Sequence, residues 1–343
     1  MLWDIFGAIM NKRPTRKDVA ALAKVSVATV SYVVNGGPRP VAAETRERVL
    51  NAVEQLGYRP HAIARSLKTG NTHTVALLAQ SLIEPFTGYF VNAIERCLDK
   101  HGYELILASS HEDREREKRL LDVLAARSID GLLYIPVSNK DPEPVLAIID
   151  EGIPVIFVDR YIPGVPADVV MSDNVAATRQ LTDYMLDQGR RRILFISFSD
   201  EASSALDRVE GYRQALGARD LPVDVSMILV ASYVTGVGFE EHLAAHIEEH
   251  GLPDSIICTT NDLLVRTIKT LRKRAIDVPE HVLVGGGFVH SPWNDLLEPP
   301  LPLVHQDFET MAQQAVEFLV ERLGGHNPPP RVKLISSRFF AFD

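Results

Sequence analysis

Cysteine is nearly absent from the chain: Cys97 and Cys258 are the only two among 343 residues, far apart and each inside an apolar segment. That excludes a disulfide framework and a thiolate metal centre. Long apolar runs are missing too. The longest, such as Ile153 to Val158, are of strand length and fall short of the roughly 18 to 20 residues that span a bilayer. The first ten residues, MLWDIFGAIM, have no basic start, carry Asp4 and precede no small-residue cleavage site, so no secretory signal is expected and Met10 is an alternative start. Aromatics are sparse at 7%, beside 46% hydrophobic and 24% charged residues, with no fibrous period and no Pro or Gly excess. This is globular usage, and it excludes a disordered chain. The length suits two or three domains, and the chain reads as cytoplasmic.

What is present is a charge asymmetry. The formal net charge is -9, yet residues 1 to 70 hold eleven Lys or Arg against five acids, net +6, which leaves -15 for the remainder. A small basic head on an acidic body suits a nucleic-acid reader joined to a soluble sensing domain, because phosphate contacts dominate affinity. In the head, Thr15 is an N-cap candidate ahead of a short helix carrying Val19, Ala20, Leu22 and Ala23, which stops near Lys24. Ser26 caps a second short helix with Val30, Val33 and Val34 inward and Val27, Ala28, Ser31 and Tyr32 outward. Two short helices around a tight turn form a helix-turn-helix, whose second helix enters the major groove. A third helix, Ala43 to Leu56, carries Val49, Leu50, Val53 and Leu56 and ends at Gly57.

These residues resemble the lactose/galactose repressor (LacI/GalR) family. The resemblance is carried by TRKDVAALAKVSVATVSYVVNG (Thr15 to Gly36), ETRERVLNAVEQLGYRP (Glu44 to Pro60) and HAIARSLKTG (His61 to Gly70). DGLLYIP (from Asp130), EGIPVIFVDR (from Glu151), SDN (from Ser172), RVEGYRQAL (from Arg208) and PPLPLVHQDF (from Pro299) continue it in order to the end. It implies a mixed α/β chain: a small all-α head at 14–60, a hinge helix and linker at 61–71, and a two-lobed periplasmic-binding-protein-like core of two parallel sheets at 72–343. The first lobe is expected at about 72–172 plus 304–331, the second at about 173–303 plus 332–343. For DNA, the resemblance implies that Thr15, Ser26, Thr29, Ser31, Asn35 and Tyr58 hold phosphates or position the head, and that Val27, Ala28 and Tyr32 face bases. Arg16, Thr45, His61 and Ala64 complete the DNA set, and Leu67 is the hinge residue that wedges between base pairs of a kinked duplex. Two departures stand out in the head. Lys24 replaces the family's turn Gly, and Tyr32 stands where many members carry an Arg that reads guanine bidentately.

Beyond Thr74, apolar runs at Val75 to Ala79, Leu105 to Ala108, Leu132 to Ile135 and Val155 to Val158 alternate with helical stretches, and a second series follows at Ile193 to Ser197, Met227 to Ala231, Ile256 to Thr259 and Val282 to Gly285. Alternation of this kind predicts two parallel α/β halves around a cleft. Ligands of such open sheets bind beyond the carboxyl ends of the strands. The resemblance maps the effector pocket to Phe86, Asp159, Arg208, Tyr233, Asn261 and Phe308, with Trp293 nearby, and implies a sugar or similar polar molecule. Gly287 stands where the family's sugar-binding Asp is expected. His242, His246 and His250 recur every four residues, but a solvated helix face explains them better than a metal site. Gly285 to Gly287 makes no phosphate-binding motif, and no nucleophile elbow is present. The expectation is a DNA-binding regulator, a repressor acting as a homodimer on double-stranded, pseudo-palindromic DNA, with a small-molecule effector, no cofactor and no catalysis. Left open are a regulator governed by a protein partner instead of an effector, and a solute-binding protein.

Overall fold

The computed structural model describes residues 14–35, 40–58, 71–82, 85–231, 238–289 and 300–341. Two compact units are present, divided at Thr72 and His73.

In the first unit α1 (Arg16–Ala23), α2 (Val27–Asn35) and α3 (Ala43–Leu56) share a small core of Val19, Ala20, Ala23, Val30, Val33, Val49, Ala52 and Tyr58. Two expected core residues lie outside it: Leu22 is 47% exposed and Leu50 48%. At 100° per residue the buried stripe runs through 19, 20 and 23 in α1 and through 49, 52, 53 and 56 in α3, which turns positions 22 and 50 toward solvent. Lys24 terminates α1 with φ 53 and ψ 48, so a lysine adopts the left-handed conformation that glycine favours. The weak point is the start of α3. Its N-cap is Ala42, at φ -54 and ψ 139, with no side-chain oxygen for the first amides. Ala42→Ser is expected to stabilise this unit by about 1 kcal/mol, measured as a rise in the head's unfolding midpoint. An unchanged or lower midpoint would contradict it.

The second unit is two parallel-dominated sheets. Sheet one has the order β11-β5-β4-β3-β1-β2, from β1 (Thr74–Ala79), β2 (Glu104–Ser109), β3 (Gly131–Tyr134), β4 (Val155–Val158), β5 (Asp168–Ser172) and β11 (Val332–Ile335). Sheet two has the order β12-β10-β9-β8-β6-β7, from β6 (Ile193–Ser197), β7 (Ile228–Val230), β8 (Ser255–Cys258), β9 (Leu283–Gly286), β10 (Leu303–His305) and an antiparallel β12 (Arg338–Phe340). Both faces of each sheet are covered, and strand alternation explains how. Along β1, Val75, Leu77 and Ala79 meet α4 (Pro85–Asp99) and α11 (Phe308–Leu323), while Ala76 and Leu78 meet α5 (Arg114–Ala126) and α6 (Glu143–Asp150). Sheet two is sandwiched likewise by α7 (Asn174–Asp187) and α8 (Ser203–Gly217) on one face, and by α9 (Phe239–His250) and α10 (Asn261–Lys273) on the other.

The lobe boundaries differ from expectation. β11 pairs with β5 in sheet one, Val332 opposite Val169 and Ile335 opposite Ser172, so residues 332–335 belong to the first lobe and only β12 reaches the second. Strand β10 sits in sheet two, so the chain returns to the first lobe after His305. The first lobe is tied by Asp168, which is fully buried. Its carboxylate accepts from Arg322 Nε at 2.7 Å, from the Arg331 backbone N–H at 2.8 Å and from Arg331 Nη2 at 3.1 Å. No helix of the described residues is long and apolar enough to cross a membrane.

Candidate functional site

The head is built to present α2. At the start of α1 the Asp18 carboxylate accepts from the Thr15 N–H and from the Thr15 hydroxyl, both at 2.7 Å, which fixes the chain's entry. Ser26 Oγ accepts from the Thr29 N–H at 3.0 Å and lies 2.9 Å from the Thr29 hydroxyl. With Val30 and Val33 buried, Val27 is 42% exposed, Ala28 is exposed, and Ser31 and Tyr32 are half-buried. The helix therefore turns these predicted residues away from the core. Arg16 and Thr45 are half-buried, and Thr45 Oγ1 accepts from Arg48 at 3.4 Å. Tyr58 is 5% exposed within the head core, which suits a positioning role. Asn35 is the last residue of α2, and its side chain lies outside the described residues, as do His61, Ala64 and Leu67.

In the second unit a cleft opens where the strands end. Gln80 follows β1, Asp159 and Arg160 follow β4, Phe198 follows β6, Thr259 and Thr260 follow β8, Gly287 and Phe288 follow β9, and Gln306 follows β10. Each borders the cleft because parallel strands aim their carboxyl ends at the same place. Of the residues predicted for this pocket, Phe86, Asp159, Arg208 and Gly287 border the free space. Asn261 and Phe308 stand one layer behind. Asn261 Nδ2 donates to the Val289 carbonyl at 2.9 Å, and the Phe308 ring backs Phe86 edge-on at 5.4 Å. Tyr233 and Trp293 lie outside the described residues. Gln80, Arg160, Phe198, Phe288 and Gln306 were not foreseen, although the strand-end rule points to each of them.

Two guanidiniums dominate the cleft. Arg208, 4% exposed, donates through Nε to Asn174 Oδ1 at 3.0 Å and through Nη1 to the Thr259 carbonyl at 2.8 Å, and lies 3.9 Å over the Phe288 ring. Arg160 pairs with Glu112 at 3.3 Å and lies 4.9 Å over Phe198. Gln306 Nε2 donates to Asp159 Oδ1 at 3.2 Å and to Ser172 Oγ at 2.9 Å. The backbone is strained here, with Glu112, Asp159 and Phe288 all at positive φ, as is common where a site is preorganised. Unmatched polarity is present as well: Gln80 Oε1 and Asn261 Oδ1 are buried acceptors without a hydrogen bond. Leaving such groups unsatisfied costs about 1 to 3 kcal/mol each. At Gly287, φ is 81 and an added Cβ would lie 3.0 Å from Asn261 Oδ1. An acid cannot be restored there without strain, and the Asn261 carbonyl oxygen fills that region instead. The cavity volume is about 40 Å³, room for a few waters and well below the ~300 Å³ of a typical ligand pocket.

In the first lobe, Glu117 Oε1 accepts from the Val137 N–H at 2.8 Å. Burial pushes its carboxyl up to about 7, against the downward pull of that hydrogen bond. On α9 the rings of His246 and His250 lie 4.6 Å apart, but among the described residues no group of three His, Cys, Asp or Glu side chains is placed to hold a metal.

Comparison with known proteins accords with this geometry. Residues 15–61 match the profile of bacterial regulatory proteins of the lacI family, and residues 72–285 that of periplasmic binding proteins and the sugar binding domain of the LacI family. The HTH-type transcriptional regulator CelR of Thermobifida fusca is 32% identical over 336 residues, covering 95% of this chain and 96% of that protein. The ribose operon repressor of Escherichia coli is 29% identical over 310 residues, 90% of this chain and 93% of that one. A solved CelR–cellobiose complex superimposes with a TM-score of 0.70 at 29% identity over 96% of this chain and 99% of that one. The lac repressor dimer bound to operator shares the fold, with a TM-score of 0.82 at 21% identity, covering 96% of this chain and 98% of that one. From its helix-turn-helix head to its two-lobed core, the chain belongs to the LacI family of bacterial regulatory proteins.

Proposed function

We propose that the protein is a cytoplasmic, homodimeric repressor whose affinity for a pseudo-palindromic operator changes when a carbohydrate or related polyhydroxy metabolite is held between its lobes. A single helix-turn-helix makes few contacts, so a twofold site calls for two chains. The observation that carries the effector half is the unpartnered acceptor Gln80 Oε1 in a cleft walled by Arg208, Phe86, Phe198 and Phe288. Such an acceptor calls for a hydroxyl hydrogen, a guanidinium for oxygen lone pairs, and rings for the apolar face of a sugar. The cellobiose complex of CelR supports this class. A thermal-shift panel of glucose, cellobiose, ribose and a purine base, followed by operator titration with any binder, tests it. A binder at a hundredfold excess over its Kd adds about 2.7 kcal/mol of stability. No shift from any compound would favour control by a protein partner, a reading to which the small cavity lends weight.

On the DNA side, Val27, Ala28 and Tyr32 face bases in this reading, while Thr15, Ser26, Thr29 and Ser31 meet phosphates. Tyrosine cannot make the paired contact to guanine O6 and N7. Tyr32→Arg is therefore expected to create a guanine preference of about tenfold at one position of each half-site, read by binding-site selection. An unchanged selected motif would remove Tyr32 from the base-reading set.

A further inference from the structure

We propose that Glu201 is an electrostatic clasp that holds the two lobes closed over the cleft and gates the entry of the effector. Glu201 lies in the second lobe, between β6 and α8, yet its side-chain partners all come from the first lobe. Lys140 Nζ donates to its Oε1 at 2.6 Å, Ser138 Oγ to its Oε2 at 3.2 Å, and Arg114 pairs with the same Oε2. The Asn139 N–H reaches the Glu201 backbone carbonyl at 3.3 Å. Two cations and two neutral donors from one lobe thus converge on one residue of the other.

Both halves of this contact are braced. On the second lobe, Ser199 Oγ accepts from the Glu201 N–H at 3.0 Å and from the Ala202 N–H at 3.1 Å, which fixes the turn into α8. On the first lobe, Glu117 holds Val137 and Lys118 pairs with Asp141 at 2.9 Å, so the loop bearing Ser138 and Lys140 is gripped at both ends. A single exposed ion pair contributes little, because the cost of ordering two long side chains offsets its attraction. Here the loop that carries Ser138 and Lys140 is held in advance, and the Glu201 side chain is only 26% exposed. The cavity of about 40 Å³ in the cleft is too small for a sugar, so seating an effector requires the lobes to part. Arg114 and Lys140 are 44% and 60% exposed, so salt screens the clasp and ionic strength sets the open population.

The gating consequence rests on the reading of the cleft as an effector site; the clasp itself is tested without effector or DNA. Full-length protein carries spin labels at Asp122→Cys on α5 and Arg213→Cys on α8, both exposed, in a Cys97→Ser background, with Cys258 fully buried. Interlabel distances are recorded by double electron–electron resonance at 50 mM and 500 mM salt. At low salt the unaltered clasp is expected to give one dominant short distance. Glu201→Gln or Lys140→Met is expected to raise the population of a longer distance about tenfold, and high salt to do the same only when Glu201 is present. Exchange of the charges, Glu201→Lys with Lys140→Glu, is expected to recover part of the short distance. Distributions that do not change with Glu201→Gln at low salt, or with salt in the intact clasp, would overturn the proposal. Failure of the regulator reading would instead appear as loss of operator binding, with these distances unaffected.

Discussion

Arg208→Lys is expected to lower effector affinity by about a hundredfold while leaving operator affinity without effector within about twofold. Arg208 holds three things at once: the Asn174 side chain, the Thr259 carbonyl and the face of Phe288. Lysine keeps the charge but loses the planar fork that meets two oxygens and stacks on a ring. Losing charge-assisted hydrogen bonds in a site shielded from water costs about 2 to 3 kcal/mol, or about a hundredfold. The measurement is isothermal titration with whichever carbohydrate of the panel binds the unaltered protein, beside operator titration of both forms. Undiminished affinity would remove Arg208 from the effector site. Equal losses of DNA and effector binding would mark a folding defect instead.

Asp168→Ala is expected to lower the stability of the core by about 3 kcal/mol. Removing one partner of a buried ion pair costs about 3 to 5 kcal/mol, because the remaining charge has lost water and gained nothing. The lower end applies because Arg331 keeps Glu321 at 2.8 Å and is 31% exposed, whereas Arg322, 12% exposed, is left with the Pro328 carbonyl. Burial alone would push the Asp168 carboxyl up, but the hydrogen bonds from Arg322 and Arg331 outweigh it and hold it below the usual carboxylate range. A carboxyl that titrates lower in the folded chain adds stability that is complete above the unfolded value of about 4 and is lost as pH falls through the folded value. The difference between the native protein and Asp168→Asn, followed by denaturant unfolding, should therefore be full at pH 7 and shrink toward pH 3. A difference independent of pH would refute the ion-pair account of this residue.

Residue patterns and structure part company where burial is one-sided or the element is short. Helix α3 has the limits read from its apolar stripe, and strands β4 and β6, though only four and five residues long, match because each is an apolar run of at least four residues. β5, β10, β11 and β12 were not foreseen. None carries an apolar run longer than three residues: β5 is bounded by Asp168 and Ser172, β10 directly follows Pro302, β12 begins at Arg338, and β11 is interrupted by Lys333 and buries only Ile335. Because β11 pairs with β5, the lobe boundary falls after Ile335 and not at residue 332. In the cleft, residue types at strand ends were legible, but which of them turn inward was not, and that is why Gln80, Phe198 and Gln306 escaped notice. Glu201 was invisible for a deeper reason. Its partners lie 61 to 87 residues away on the other lobe, and nothing local to a lone glutamate records a pairing made only by tertiary structure.

Footprinting on DNA selected by the full-length chain from a random library tests the central claim most directly, namely that two copies of α2 read a symmetric site. The expected result is a twofold-symmetric footprint of two half-sites, with affinity falling about 10³- to 10⁵-fold between 50 and 200 mM salt for six to ten phosphate contacts. An asymmetric footprint, salt-independent binding, or no selected sequence at moderate salt would contradict it.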